Sequence, residues 1–238
     1  LTVGSLFSGI GGFDLGLERA GMRVMWQCEN DPFARRVLAK HWPGVPRLCD
    51  INRVGAGRDW EPCRVDLICG GFPCQDISPA GKRAGIDGAR SGLWSEMLRL
   101  IRELRPGYAI VENSGDLAVR GLGTVLGDLA SIGFDAEWEE LSACAFGAPH
   151  TRRRLFVVAY PHSEHGGRER GRIGRAEEGE GAWDLHHWDA EPAGSRVAHG
   201  IPAAVDRNRA LGNALVPQIA EYIGRRIVAY EEGLTHVG

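Results

Sequence analysis

Long apolar runs are missing from this chain, and several further absences narrow what it does. No stretch approaches the roughly 18 consecutive apolar residues of a helical membrane span, so no membrane association is expected. The first residues lack a charged segment followed by an apolar block and a cleavage site, and no secretory signal is expected. Cys28, Cys49, Cys63, Cys69, Cys74 and Cys144 are scattered without the paired spacing of a zinc site. Reduced thiols are expected instead of disulfides. His162, His165, His186 and His187 fall in an irregular segment without a cysteine or carboxylate at ligand spacing. They read as loop residues, and no metal is expected. Lysine is nearly absent: of 28 basic residues, Lys40 and Lys82 are lysines and the rest arginines. No internal repeat is visible.

What remains is an ordinary globular composition, 43% hydrophobic and 25% charged, over 238 residues. That length suits one good-sized domain with a small appendage. The net charge of −3 argues against nucleic-acid binding by the whole surface, so distribution matters more than the sum. Basic residues cluster at Lys82–Arg83, Arg152–Arg154, Arg168–Arg175 and Arg207–Arg209. Arginine favours bidentate contacts to phosphates and base edges.

The pattern along the chain is that of an α/β fold with a mostly parallel sheet. Val3–Phe7 reads as a first strand, Ser8 to Gly12 as a tight turn, and Phe13–Ala20 as a helix stopped by Gly21. Such a turn cradles nucleotide-like ligands, but Asp14 occupies the third glycine position of the dinucleotide fingerprint and counts against NAD or FAD. Arg23–Cys28 reads as a second strand ending in Glu29, an acid placed for a ribose diol. Asp31 caps the next helix, with Pro32 in its first turn. Asp50 closes a short third strand and is placed to accept a hydrogen bond from an adenine amine. Gly92–Arg105 is amphipathic, with Leu93, Trp94, Met97, Leu98, Ile101 and Leu104 inward and Arg99, Arg102, Glu103 and Arg105 toward water. Tyr108–Val111 is a strand ending in Glu112-Asn113, and Leu117–Ile132 is a helix. Phe134–Ser142 and Leu155–Tyr160 close the sheet, with Arg152–Arg154 just before the second. A final helix carries Ile219, Ile223 and Ile227 on one face.

The centre of this arrangement is Val65 to Ser78, VDLICGGFPCQDIS. A buried strand breaks at Gly70-Gly71 and is followed by a loop that holds Cys74 behind Pro73. Proline restricts the backbone before the thiol, and in open α/β sheets ligands bind beyond the carboxyl ends of the strands. Cys74 is therefore the candidate nucleophile. Glu112, on the same edge, is the candidate proton donor. Pro79–Ser91 reads as a lid. Residues 161–207 lack sustained periodicity, and about half of them are expected to be disordered.

In order along the chain, LFSGIGGFDLGLERAG at 6–21, Glu29, CDI at 49–51, GGFPCQDIS at 70–78, VEN at 111–113, RRRLFVV at 152–158 and LGNALVPQ at 211–218 resemble the DNA (cytosine-5)-methyltransferases. The resemblance implies a Rossmann-like methyltransferase fold with S-adenosylmethionine held by Phe7, Gly9, Gly11, Glu29, Asp50, Ile51 and Asn213. It implies a catalytic and cofactor-binding domain at 1–160, a short target-recognition region at 161–207, and a C-terminal segment at 208–238 packing back on the first. It also implies duplex DNA as substrate, with Cys74 adding to carbon 6 of a flipped-out cytosine, Glu112 bonding ring N3 and the amine, and Arg154 and Arg152 holding O2 and a phosphate. Pro73, Gln75, Ser78, Arg90 and Arg196 are the expected substrate contacts. A monomer is expected, acting in the cytoplasm of a bacterium or phage-infected host, with a restriction endonuclease as a possible separate counterpart. Three departures stand out: VEN is usually followed by an aliphatic residue and here by Ser114, His150 stands where many members have glutamine before the arginines, and the recognition region is short. The same chemistry on RNA, a catalytically silent binding module and a nicotinamide-dependent thiol oxidoreductase are the alternatives.

Overall fold

The computed structural model describes residues 1–73, 92–162 and 214–233. Its strands are β1 (Thr2–Leu6), β2 (Arg23–Cys28), β3 (Arg47–Leu48), β4 (Leu67–Gly71), β5 (Tyr108–Ser114), β6 (Phe134–Ser142) and β7 (Arg153–Pro161). They form one sheet in the order β3-β2-β1-β4-β5-β7-β6. The first five run parallel, and β7 is antiparallel to both neighbours. The order reverses beside β1, which pairs with β2 on one side and β4 on the other. A reversal of this kind opens a crevice at the carboxyl ends of the strands.

Helices α1 (Gly12–Arg19), α2 (Pro32–His41), α3 (Gly92–Leu104), α4 (Leu117–Arg120), α5 (Leu122–Ser131) and α6 (Pro217–Glu231) accompany the sheet. Parallel strands must be covered on both faces, and the side-chain alternation of β4 does this. Leu67 and Cys69 enter an apolar cluster with Phe13 and Leu17 of α1 and Ile219 and Ile223 of α6. Ile68 enters a second cluster with Met97 and Ile101 of α3 and Leu129 of α5. Asp31 caps α2 by accepting from the backbone N–H groups of Phe33 and Ala34 at 2.8 and 3.0 Å. A cap of this type stabilises by about 1 kcal/mol.

α6 lies directly on α1 because small residues let the two backbones approach. A Cβ on Gly16 would fall 2.6 Å from Ala220 Cβ, and one on Gly224 would fall 2.8 Å from Ala20 Cβ. The isoleucine face expected of this helix is buried, with Ile219, Ile223 and Ile227 each at most 2% exposed.

Several local readings change. The expected helix over 117–132 is two helices, because Gly121 takes an extended φ of −160° and interrupts it. Asp50 lies beyond β3 and caps a 3-10 turn at Ile51–Arg53. Gly70 and Gly71 lie inside β4, and β5 and β7 are longer than read, so that Glu112 and Arg154 are strand residues. Arg99 does not face water. Its side chain is 12% exposed, pairs with Glu96 and Glu103 at 2.7 and 2.8 Å, and donates to the Val54 carbonyl at 2.6 Å. Leu100, the next residue of that helix, is fully buried. His162 has a partner distant in sequence, Asp135 of β6, at 2.8 Å. The cysteine loop, the lid and the recognition region, with Cys74, Gln75, Ser78, Arg90, Arg196 and Asn213, lie outside the described residues. Among the described residues no helix is long and apolar enough to cross a membrane, and no histidine, cysteine and carboxylate group is placed to hold a metal.

Candidate active site

The carboxyl ends of β1, β2, β4 and β5 open into a cavity of about 490 Å³. Its wall includes Phe7, Gly9, Glu29, Asp50, Ile51, Pro73, Glu112, Arg152 and Arg154, nine of the residues singled out from the sequence. Gly11 is not on that wall. It is buried, and a Cβ there would meet the Trp42 ring at 2.5 Å and Leu38 at 3.3 Å. With φ of +91° it shapes the turn before α1.

At the β1 end, Phe7 and Gly9 have φ of +52° and +56°. Left-handed backbone costs a bulky residue roughly 1–2 kcal/mol, and such strain tends to sit at ligand-binding turns. The turn is held by Glu29, whose two carboxylate oxygens accept from Gly9 N and Asp31 N, each at 2.7 Å. A carboxylate oxygen has two lone pairs, so Glu29 retains acceptor capacity for a hydroxyl pair. Asp50 accepts from Asn52 N at 2.9 Å and Asn52 Nδ2 at 2.8 Å, and these hydrogen bonds hold its carboxyl below the usual range. It is thus an ionised acceptor. Behind the turn lies a buried polar network. Ser5 Oγ and Gln27 Nε2 donate to Asp14 at 2.9 and 2.7 Å, and Arg47 Nε donates to Gln27 at 2.7 Å. Burial pushes the Asp14 carboxyl up to about 6, against the hydrogen bonds that lower it.

At the β4–β5 end, Gly71 pairs in register with Glu112. A Cβ on Gly71 would collide with the Glu112 carboxylate, so the second glycine of the pair makes room for an acid. Glu112 Oε1 lies 3.0 Å from Arg154 Nε. Burial raises the Glu112 carboxyl above its ordinary range, while Arg154 and then Arg152 pull it down. In a desolvated site the raised direction favours a neutral acid able to donate a hydrogen bond. Phe72 packs against Trp94 with ring centroids 5.6 Å apart. Its carbonyl accepts from Asn113 Nδ2 at 3.1 Å. Asn113 is 2% exposed and fixes the backbone just before Pro73, from which the chain leaves toward position 74. The sequence reading gave Asn113 no role, although its place in the VEN triplet next to Glu112 was the available signal. Ala214, the residue after Asn213, also lines the cavity.

A 3-2-1-4-5-7-6 sheet with cavity-lining residues beyond successive strand ends defines a doubly wound α/β chain with its crevice at the carboxyl edge. The model of the C-5 cytosine-specific DNA methylase family matches residues 1–176, and the chain belongs to that family. It is 39% identical over 167 residues to the type II methyltransferase M2.BsuMI of Bacillus subtilis, covering 67% of this chain and 42% of that protein. It is 31% identical over 188 residues to the type II methyltransferase M.AquIA of Picosynechococcus, covering 68% and 76%. Among solved structures, a prophage-encoded DNA modification methyltransferase of E. coli superposes with a TM-score of 0.56 at 28% identity, over 68% of this chain and 47% of that one. The chain therefore spans less than half the length of M2.BsuMI and of the prophage-encoded protein.

Proposed function

We propose that the protein transfers a methyl group from S-adenosylmethionine to carbon 5 of a cytosine flipped out of duplex DNA. The observation that carries this reading is one cavity lined at one end by Glu29 and Asp50 and at the other by the Glu112–Arg154 pair. Between them β4 delivers the backbone to Pro73, one residue before the thiol. The names of M2.BsuMI, M.AquIA and the prophage-encoded protein support DNA as the polymer.

The residues fit the cofactor chemically. Glu29 suits a ribose diol, Asp50 an adenine amine, and the left-handed turn at Phe7 and Gly9 leaves a cradle in which Gly9 has no neighbour closer than 4.0 Å to a would-be Cβ. Ile51 supplies an apolar wall. Asn213, one residue before the cavity-lining Ala214, is assigned to the same cofactor. When bound, the cofactor supplies an electrophilic methyl group on sulfur.

Carbon 5 of cytosine is too weak a nucleophile to take that methyl group unaided. The Cys74 thiolate adds to carbon 6, and the ring becomes an enamine reactive at carbon 5. Glu112, whose carboxyl burial raises, donates in its protonated form to ring N3 and accepts from the exocyclic amine, offsetting charge as sulfur adds. Arg154 holds O2, and Arg152 holds O2 or the flanking phosphate. Loss of the carbon 5 proton then lets the thiolate leave. Extruding the base costs a few kcal/mol, offset by contacts made in the cavity. Pro73, Gln75, Ser78 and Arg90 are assigned as contacts to the substrate, and residues 161–207, with Arg196, to reading the surrounding sequence. A monomer fits this scheme. A restriction endonuclease for the same sequence would be a separate protein.

Transfer of labelled methyl groups to duplex DNA and to RNA tests the reading. Label at carbon 5 of DNA cytosine is expected, whereas label entering only RNA would overturn the assignment of substrate.

A further inference from the structure

Ser114 closes β5 two residues after Glu112, and its position is unusual in three respects. Its Oγ is shielded from solvent and has no hydrogen-bond partner among the described residues. The residue forms part of the cavity wall. In the sheet it stands directly opposite Arg154, whose guanidinium reaches across to Glu112. A buried hydroxyl without a partner is unfavourable and calls for an explanation, most often a group that arrives later. Strand alternation places Ser114 on the same side as Glu112, about 7 Å further along the edge. The backbone there is fixed, since Ser114 N donates to the buried Asn113 side chain at 2.8 Å. The hydroxyl can turn among staggered positions about its side-chain bond.

We propose that Ser114 is a substrate-contacting residue whose hydroxyl donates to the O2 carbonyl of the target pyrimidine. This rests on the function proposed above. A base whose N3 edge meets Glu112 and whose O2 meets Arg154 turns its O2 side toward the residue opposite Arg154, which is Ser114. The carbonyl oxygen has two lone pairs, one for Arg154 and one for Ser114, which leaves Arg152 for the flanking phosphate. An aliphatic side chain here would line the same wall without this contact, so Ser114 sharpens selection of a 2-oxo pyrimidine.

The test compares the wild-type protein with Ser114→Ala and Ser114→Thr on duplexes carrying cytosine or 2-thiocytosine at the methylated position, located by base-resolution sequencing. Sulfur accepts hydrogen bonds more weakly than oxygen. With cytosine, Ser114→Ala is expected to lower kcat/KM roughly three- to tenfold, the range of one neutral hydrogen bond. With 2-thiocytosine it should cost less than twofold, and Ser114→Thr should restore most of the loss. Because alanine removes a buried polar atom that lacks a partner, Tm of the unliganded protein should stay level or rise. Equal losses on both duplexes, or no loss on either, would overturn the inference while leaving the methylation reading intact. No methyl transfer by the wild-type protein would overturn both.

Discussion

The Glu112 carboxylate sits in the space that a side chain on Gly71 would occupy, on neighbouring parallel strands and in register. Gly71→Ala is therefore expected to displace the acid. Only the tip of a flexible side chain has to yield, so the stability cost is expected to be small. Activity should fall further than stability, because Glu112 also loses its 3.0 Å approach to Arg154. Parallel measurement of kcat/KM and Tm separates the two effects.

Glu112 is raised by burial and opposed by Arg154. Removing the cation should raise the carboxyl further, so the carboxyl titration followed by infrared difference spectroscopy moves to higher pH in Arg154→Gln. Movement to lower pH would mean that Arg154 does not act on Glu112 through charge. Glu112→Gln, which cannot supply a proton, should lose about 10²–10⁴-fold in kcat, the usual contribution of an acid–base group.

Asp14 gives a stability prediction whose sign is opposite to that of a salt-bridged acid. Its carboxyl titrates at about 6 when folded, against 3.8 for the ordinary group. Between those values the folded chain binds more protons than the unfolded one, so stability falls as pH rises through the window and is flat above it. At about 1.4 kcal/mol per pH unit, the loss is about 3 kcal/mol at most. Asp14→Asn should flatten this slope in urea unfolding curves collected from pH 4 to 7. Gln27 and Ser5 remain as its hydrogen-bond partners.

The contact between α1 and α6 ties the last described segment to the glycine turn. Gly16→Ala would bring a methyl group against Ala220 Cβ and Glu221 N, 2.6 and 2.8 Å away. A loss of about 2–3 kcal/mol is expected, since backbone cannot yield as a side chain can. Ala214 precedes α6 and lines the cavity, so cofactor affinity measured by calorimetry should fall with it. Unchanged affinity would separate that helix from the site.

Much of this was legible in the residues because each strand tip carries its chemistry within a residue or two of a turn signal. Glu29 and Asp50 follow apolar runs, and Glu112 follows Tyr108–Val111. Strand lengths were less legible. Glu112 and Arg154 extend β5 and β7 through antiparallel pairing with each other's strands, a partner choice invisible to local propensity. The same holds for Arg99. Its charge marked it for solvent, yet Glu96 and Glu103 lie one turn away on either side, and the Val54 carbonyl comes from a distant segment. A turn glycine serves for positive φ or for close approach, and at Gly11 both apply: φ is +91° and the close approach is to Trp42. The places of Asn113 and Ser114, one holding the Phe72 carbonyl and the other on the cavity wall with a shielded, unpartnered hydroxyl, exist only in three dimensions.

The central claim is covalent attack by Cys74, and a duplex with 5-fluorocytosine at the methylated position tests it most directly. Fluorine cannot leave as a proton, so the enzyme, cofactor and DNA are expected to remain joined in a denaturant-resistant adduct. Cys74→Ser should form none while binding cofactor normally. An enzyme that methylates ordinary cytosine yet leaves no adduct with the fluorinated base, or a Cys74→Ser variant with full turnover, would contradict the account.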